Sequence, residues 1–149
     1  MRVQVREAAP EDLPAMAAID DALVEDSQRW YEVADLLTRG GCLLAEDLVD
    51  AIPSAIGYVA VAPRQFFGRD LIALLVVAER CRRRGVGTQL LRAATRRATS
   101  EAVFTSTNES NRPMLELLKA DGWTVSGRLE GLDDGDPETV FYRRAEAHQ

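Results

Sequence analysis

The feature that most constrains this chain is an apolar run at residues 71–77, followed closely by a segment rich in arginine and glycine. A short run that contains β-branched residues and ends in a polar turn favours a strand buried on both faces over a helix. Apolar residues at helical spacing begin at Val86. The sequence therefore predicts a buried central strand, a tight turn and a helix in direct succession.

The predicted turn has the properties of an anion-binding site. The unpaired N–H groups at the start of a helix point towards its N-terminal end, where the helix dipole also attracts negative charge. Gly85 and Gly87 have no Cβ, so we expect an anion to approach the backbone closely there. Arginines at residues 82–84 add forked donors that suit phosphate, and Thr88 adds a hydroxyl. The segment predicts a pyrophosphate cradle.

Two common phosphate-binding motifs do not fit this segment. An ATP-binding P-loop carries lysine and then serine or threonine after its second glycine, and this chain has no such pair there. A dinucleotide fingerprint needs three glycines in the order G-x-G-x-x-G, whereas Leu90 stands at the third position here. The cradle therefore matches neither of these nucleotide sites.

The segment resembles the signature of the GNAT superfamily of N-acetyltransferases, which is glutamine or arginine, two residues, glycine, one residue, and glycine or alanine. Arg82, Gly85 and Gly87 match its defined positions. The resemblance implies acetyl-CoA as co-substrate, with its pyrophosphate on the turn and its pantetheine arm along the end of the strand. The alternative is a surface loop with a capping glycine before a basic helix. The cofactor-binding residues that the resemblance implies are Val76, Val77, Arg82, Arg83, Arg84, Gly85, Val86, Gly87, Thr88 and Asn111.

A second stretch, residues 111–123, resembles the family's other recognisable segment. Asn111 matches an asparagine that starts a helix and often contacts pantetheine, and a helix N-cap is the compatible alternative. Gly122 and Trp123 match the family's Gly-Phe pair. Leu118 stands where many relatives carry a tyrosine that protonates the leaving thiolate, and a leucine side chain can only pack.

The acceptor side also departs from the family pattern. Many relatives carry a glutamate in the central strand that accepts the amine proton, but residues 72–75 are all apolar here. Because the reaction still needs a neutral amine, we predict that a carboxylate of the last hairpin serves as base, Glu138 first. A solvated acidic turn is the alternative. Asn108 is predicted to hydrogen-bond the substrate.

Other residues carry weaker signals. Tyr31, Tyr58 and Tyr142 are candidate acids, with a place in the core or in a pocket wall as the alternative for each. The two cysteines match no zinc spacing, so no metal site is predicted. His148 lies in the tail and is predicted to be a bystander.

Composition and charge exclude several classes of protein. The 149 residues fit one domain, which we assign to residues 1–149, and 46% hydrophobic with 28% charged residues is an ordinary globular balance. No apolar run reaches membrane-spanning length and the first residues lack a signal-peptide core, so we expect a cytoplasmic protein. The net charge of −6 argues against general nucleic-acid binding.

Patterning along the rest of the chain predicts the fold. We expect an α/β fold of the α+β type, with a mixed, mostly antiparallel sheet of about seven strands flanked by about four helices. Strands that follow one another directly favour antiparallel hairpins, and the strand–helix–strand unit around residue 85 favours one parallel pair. This order also resembles the whole GNAT fold. The predicted strands are residues 3–5, 43–46, 56–62, 71–77, 103–105, 123–128 and 139–143, and the predicted helices begin near residues 11, 28, 86 and 113.

The resemblance and these patterns together imply an acetyl-CoA-dependent N-acetyltransferase that acetylates a primary amine. The acidic segment at residues 132–138 favours a small cationic acceptor. A protein lysine or N-terminal acetyltransferase and a non-catalytic acetyl-CoA sensor are the alternatives. We expect acetyl-CoA and a small amine as partners, with no metal, nucleic acid or membrane, and the formation of a homodimer is left open.

Overall fold

A seven-stranded sheet with helices on both faces forms the frame of the protein in the computed structural model, which describes residues 1–145. His148 lies outside the described residues. The strands are β1 (Val3–Glu7), β2 (Cys42–Asp47), β3 (Ser54–Phe66), β4 (Arg69–Val77), β5 (Ala102–Asn108), β6 (Thr124–Leu129) and β7 (Glu138–Arg144). The helices are α1 (Leu13–Ile19), α2 (Asp21–Glu25), α3 (Ser27–Thr38), α4 (Val86–Arg96) and α5 (Arg112–Ala120).

The strand order is β1-β2-β3-β4-β5-β7-β6, and β4 with β5 is the parallel pair of this sheet. Every other neighbouring pair is antiparallel. Helix α4 connects the two parallel strands, as a crossover must when strands run in the same direction. The predicted mixed, mostly antiparallel sheet is confirmed.

Each face of the sheet carries its own hydrophobic core. On one face Leu90 of α4 and Leu118 of α5 pack with Phe141 of β7. On the other face Met16 and Leu23 of the first two helices pack against β3. The strands therefore separate a layer made by α1–α3 from a layer made by α4 and α5.

The single helix predicted to begin near residue 11 is wrong. Residues 10–12 form a 3₁₀ turn, and the chain breaks again at Asp20, whose backbone is extended at φ −139°. The Asp20 carboxylate accepts a hydrogen bond from Tyr58 of β3 at 2.5 Å. This tertiary contact overrides the local helical pattern, so five helices appear where about four were predicted.

The predicted end of a strand at Pro63 is also wrong. Strand β3 continues to Phe66, but residues 63–65 are irregular and have no paired residue in β4. The missing N–H of Pro63 therefore removes no hydrogen bond between the two strands. Phe67 and Gly68 both have positive φ, at 51° and 78°, as a two-residue hairpin turn requires. The region predicted as a loop is therefore an extended hairpin.

Candidate active site

The parallel pairing between β4 and β5 stops after three residue pairs. Ile72 and Thr105 form the last pair, and the Thr105 hydroxyl donates to the Ile72 carbonyl at 3.0 Å. Beyond that point β5 stays paired with β7 as far as Asn108, whereas residues 73–77 of β4 have no partner among the residues of β5. We call the gap between residues 73–77 of β4 and residues 106–108 of β5 the wedge.

A β-bulge lies where the wedge opens. Val61 of β3 pairs with Ile72, and the preceding Ala60 pairs with Leu74, so Ala73 is an extra residue in β4. A bulge bends its strand and increases the local twist. The bend therefore coincides with the point at which β4 and β5 part.

The apolar run of β4 is less buried than its sequence predicts. Ile72 is buried, but the five residues from Ala73 to Val77 are only half-buried, because β5 does not cover their edge. On that edge the Val77 carbonyl accepts a hydrogen bond from Nε of Arg82 at 3.3 Å, and the other backbone groups are available to an extended ligand, in the way that a peptide adds to the edge of a sheet. The wedge thus offers both apolar surface and amide hydrogen bonds.

The turn before α4 has the shape of an anion-binding site. Gly85 lies in the left-handed region at φ 83° and precedes Val86, the first residue of α4. No side chain of the described residues caps this helix, so its first N–H groups face outwards. The three arginines at residues 82–84 are exposed beside them, and Thr88 is half-buried in the first turn. This arrangement suits a pyrophosphate at the mouth of the wedge.

The structure corrects the reason for a glycine at position 87. A Cβ at Gly87 would lie 3.0 Å from Cδ2 of Leu117 and 3.7 and 3.8 Å from the side chains of Val77 and Leu75. Its open side is therefore filled by apolar side chains of β4 and α5 rather than left free for an anion. Gly87 permits α4 to pack closely on the strand that borders the wedge.

Asn111 caps helix α5, and Leu118 of α5 is buried in the core. Asn111 is the N-cap, and its Oδ1 accepts a hydrogen bond from the N–H of Met114 at 3.3 Å. A contact between Asn111 and pantetheine stays a prediction. Leu118 is 0% exposed in the core, so it packs and offers no proton to a thiolate.

Asn108 holds the β6–β7 connection to the end of β5. Its Nδ2 donates to the Asp133 carboxylate at 2.8 Å and to the Asp136 carbonyl at 3.1 Å. The Asp136 carboxylate in turn accepts hydrogen bonds from the N–H and the hydroxyl of Ser110. The amide of Asn108 is thus engaged in positioning the acidic connection, and its contact with a substrate stays a prediction.

Glu138 is the first residue of β7 and lies directly opposite Asn108 in the register. Residues opposite each other in neighbouring strands project from the same face of a sheet. The position opposite Asn108 places Glu138 beside the wedge. Its side chain is half-buried and therefore partly open to solvent. The structure therefore brings Glu138 and Asn108 together, whereas the base role of Glu138 stays a prediction.

Sequence reasoning missed a buried charged group on the α1–α3 face. The Asp20 carboxylate is 7% exposed and lies 3.0 Å from a guanidinium nitrogen of Arg29, in addition to its bond from Tyr58. Burial first, and then the hydrogen bond to Asp20, raise the pKa of the Tyr58 hydroxyl above its ordinary value. Tyr58 therefore keeps its proton and acts as a structural donor. The one sequence signal was an aspartate inside an otherwise apolar helical face.

The other two tyrosines differ sharply in their surroundings. Tyr31 is 74% exposed on α3, away from the wedge. Tyr142 of β7 is half-buried, with its ring 5.8 Å from that of Phe104 on β5. Phe66 and Phe67 lie at the hairpin turn, and Phe67 is 87% exposed.

Comparison with protein-family models identifies the family to which this chain belongs. The model described as "Acetyltransferase (GNAT) family" matches residues 4–123, a span that includes the wedge, the arginine-rich turn and α5. The chain belongs to the GNAT acetyltransferase family. A comparison with curated protein sequences found no match.

Solved structures share the complete GNAT fold with this chain. An acetyltransferase of the GNAT family from Bacillus cereus ATCC 10987 is 28% identical with a TM-score of 0.89, over 99% of this chain and 100% of that one. Ard1 from Thermoplasma volcanium is 17% identical with a TM-score of 0.78, over 99% and 100%. The protein yncA from Salmonella typhimurium, solved with its cofactor acetyl-CoA, is 19% identical with a TM-score of 0.70, over 100% and 97%.

Residues 1–145 of the GNAT chain lack both a membrane-spanning helix and a cluster of metal-binding side chains. None of the helices in that range is long and apolar enough to cross a membrane. The same range contains no group of three or more histidine, cysteine or acidic side chains placed to hold a metal ion.

Proposed function

We propose that this GNAT protein transfers the acetyl group of acetyl-CoA to the nitrogen of a primary amine. The observation that carries the proposal is the wedge, an apolar strand edge with available amides that ends at an uncapped, arginine-flanked helix start. Pantetheine has amide groups for the strand edge, and its pyrophosphate matches the helix start. Residues 76–77 and 82–88 and Asn111 are the proposed contacts.

Acetyl transfer needs few catalytic side chains because its main requirement is that the amine and the thioester are correctly positioned. The neutral amine attacks the thioester carbonyl carbon, the nitrogen–carbon bond forms, and the carbon–sulfur bond breaks. The attacking nitrogen then releases one proton to solvent, and the sulfur leaves as a thiolate that takes up a proton from solvent. Holding both reactants in line supplies much of the rate, and backbone N–H groups of β4 in the wedge would polarise the carbonyl.

The acidic connection between β6 and β7 supports an acceptor with a positive charge at its reacting end. Glu138 lies on the face of the sheet that carries α1–α3, and the aspartates at residues 133–136 lie beside it. A carboxylate here attracts an ammonium ion and accepts its proton before attack. A small amine and a protein amine both satisfy this requirement, and the cytoplasmic location expected from the sequence remains part of the proposal.

Release of free CoA thiol from acetyl-CoA in the presence of a panel of amines tests this function. The panel contains diamines, aminoglycosides, amino acids, dipeptides and a lysine-bearing peptide. Amine-dependent thiol release, with mass spectrometry of the acetylated product, is the expected result. If acetyl-CoA binds in calorimetry and no amine releases thiol, the protein is a non-catalytic acetyl-CoA sensor instead.

A further inference from the structure

A groove lined by aromatic rings lies on the same face of the sheet as Glu138. Its floor is formed by Phe66, Phe104 and Tyr142, with ring centroids 5.1 Å apart for Phe66 and Phe104 and 5.8 Å for Phe104 and Tyr142. Residues 126–129 of β6 form one side, and the volume of the cavity is about 720 Å³. We call this cavity the aromatic groove.

The strand register places the floor of the aromatic groove at the point where the wedge opens. Phe104 pairs with Leu71, one step before the last parallel pair of β4 and β5. Tyr142 is opposite Phe104 on β7. Since side chains alternate along a strand, Phe104 and Asn108 share a face, about 13 Å apart along β5. A ligand in the groove can therefore reach the wedge without crossing the sheet.

The two ends of this path differ in charge. At the end towards the wedge lie Glu138 and the aspartates at residues 133–136. Arg128 also lines the groove at this end, but its guanidinium is paired with Glu109 and Glu130. At the far end the groove is lined by Arg69 and Arg144, against one carboxylate, Glu101. Arg144 is opposite Ala102, so it lies about 10 Å along the sheet from the opening of the wedge. The path thus favours an amine at the opening of the wedge, in the field of these carboxylates, and an anion about 10 Å away at Arg144.

We propose that the aromatic groove binds the body of the acceptor, and that the acceptor is an amine with an aromatic or branched apolar body and an anionic group at its far end. The proposal rests on the proposed acetyl transfer and names its substrate class. Aromatic rings supply apolar area and edge-to-face contacts for such a body, and the guanidinium groups pair with its anion. The amine then points towards the wedge, where the thioester would lie.

Gly127 allows the groove to be filled without removing a core residue. It pairs with Val140, and both residues line the groove. A Cβ at Gly127 meets no atom within 4 Å, and the backbone does not require glycine. Gly127→Trp should therefore place an indole ring in the groove. Val125→Trp is the matched control, because Val125 is 53% exposed on the same strand and pairs with Phe141, which packs on the opposite face.

The test compares thiol release with phenylalanyl-aspartate and with putrescine as acceptors. In the wild-type protein we expect KM to be at least about tenfold lower for the dipeptide, a gap that corresponds to about 1.4 kcal/mol. Gly127→Trp should raise KM for the dipeptide about tenfold and leave the calorimetric affinity for acetyl-CoA unchanged, whereas Val125→Trp should change neither. Equal KM values for both acceptors, or no response to Gly127→Trp, would overturn the proposal.

A second variant tests the anionic end separately. Arg144→Gln should raise KM for phenylalanyl-aspartate and leave KM for phenylalaninamide, which has no carboxylate, unchanged. Equal effects on both ligands would refute a pairing between the guanidinium and the anion.

Direct binding separates this inference from the proposed function. If no amine releases thiol, but phenylalanyl-aspartate binds the wild-type protein in calorimetry and not Gly127→Trp, the groove assignment stands and acetyl transfer fails. If sedimentation instead shows a dimer that Gly127→Trp dissociates, the groove is an interface between two copies and the acceptor assignment is wrong.

Discussion

The hydroxyl of Tyr58 donates a hydrogen bond to the carboxylate of Asp20 across 2.5 Å and thereby joins the middle of β3 to the break between α1 and α2. Arg29 of α3 lies 3.0 Å from the same carboxylate oxygen. A strand of the sheet, the break between α1 and α2, and helix α3 thus meet at a single buried oxygen. This contact positions the helices that cover the face on which we place the acceptor.

Removal of the Tyr58 hydroxyl should change how stability depends on pH. In the unfolded chain a tyrosine ionises near its ordinary pKa of 10.0, but burial holds the pKa of folded Tyr58 higher. The wild-type free energy of unfolding should therefore fall as the pH rises above about 10, and this loss should be smaller in Tyr58→Phe. At neutral pH the lost hydrogen bond to a charged group should cost about 1.5–3 kcal/mol.

Denaturant unfolding between about pH 8 and about pH 11 measures both effects. Tyr31→Phe is the control, because Tyr31 is 74% exposed on α3. Parallel pH curves for Tyr58→Phe and the wild type would mean that Tyr58 does not hold its proton in the folded state.

Truncation of Leu118 should lower stability and leave chemistry intact. The side chain is 0% exposed, and a buried leucine replaced by alanine costs about 2–5 kcal/mol. We expect turnover per folded molecule to be unchanged, since leucine transfers no proton. Leu132→Ala, at a position that is 64% exposed, should cost little stability. Loss of turnover in folded Leu118→Ala with normal acetyl-CoA affinity would instead give the residue a role in shaping the site.

Substitutions of Gly87 should weaken acetyl-CoA binding through packing rather than charge. Glu and Gln have nearly the same shape, so we expect Gly87→Glu and Gly87→Gln to lower both the melting temperature and the affinity to the same extent. The physical reason is the 3.0 Å approach of Leu117 to the position of the added Cβ. Calorimetry with acetyl-CoA and thermal unfolding are the measurements. A much larger affinity loss for Glu than for Gln would show that the side chain reaches the phosphate after all.

Neutralising Glu138 tests the acceptor base. Glu138→Gln should lower turnover mainly below the pKa of the acceptor amine, with recovery at high pH and intact acetyl-CoA binding. Asp134→Asn is the control, because it removes the same charge from an exposed position of the adjoining loop. It shows how much of the change in turnover comes from net charge near the site alone. If Glu138→Gln only raises the acceptor KM and makes it less sensitive to salt, with turnover unchanged, Glu138 attracts the cationic acceptor and is not its base. Wild-type parameters at every pH would remove the residue from the site.

Part of the site could be predicted because it is encoded locally. The strand, the turn and the helix at residues 69–96 follow one another in the chain, and each has its own signal: an apolar run, glycines and helical spacing. The left-handed Gly85 and the capping role of Asn111 likewise depend on backbone geometry within a few residues. The number and the mixed direction of the strands followed from the same local patterns.

Other features could not be predicted because they depend on residues far apart in the chain. Asp20 lies at a helix break where its carboxylate accepts a buried hydrogen bond from Tyr58, thirty-eight positions later in the chain. Pro63 remains within β3 because the opposing strand leaves the register at the same place. The local pattern shows only that Asp20 is a polar residue on an apolar helical face, and neither that pattern nor the one around Pro63 identifies the distant partner.

The sequence by itself therefore determined the order of the elements and the glycine turn before α4, because periodicity, glycine conformation and helix capping act within a few residues, and its resemblance to a family signature indicated the GNAT fold. Only the tertiary structure decided that β4 and β5 part after Ile72, that Gly87 serves packing, and that Phe66, Phe104 and Tyr142 line one groove. These features arise where strands from different parts of the chain pair and stop pairing, and pairing over long distances is set by the packing of the whole sheet.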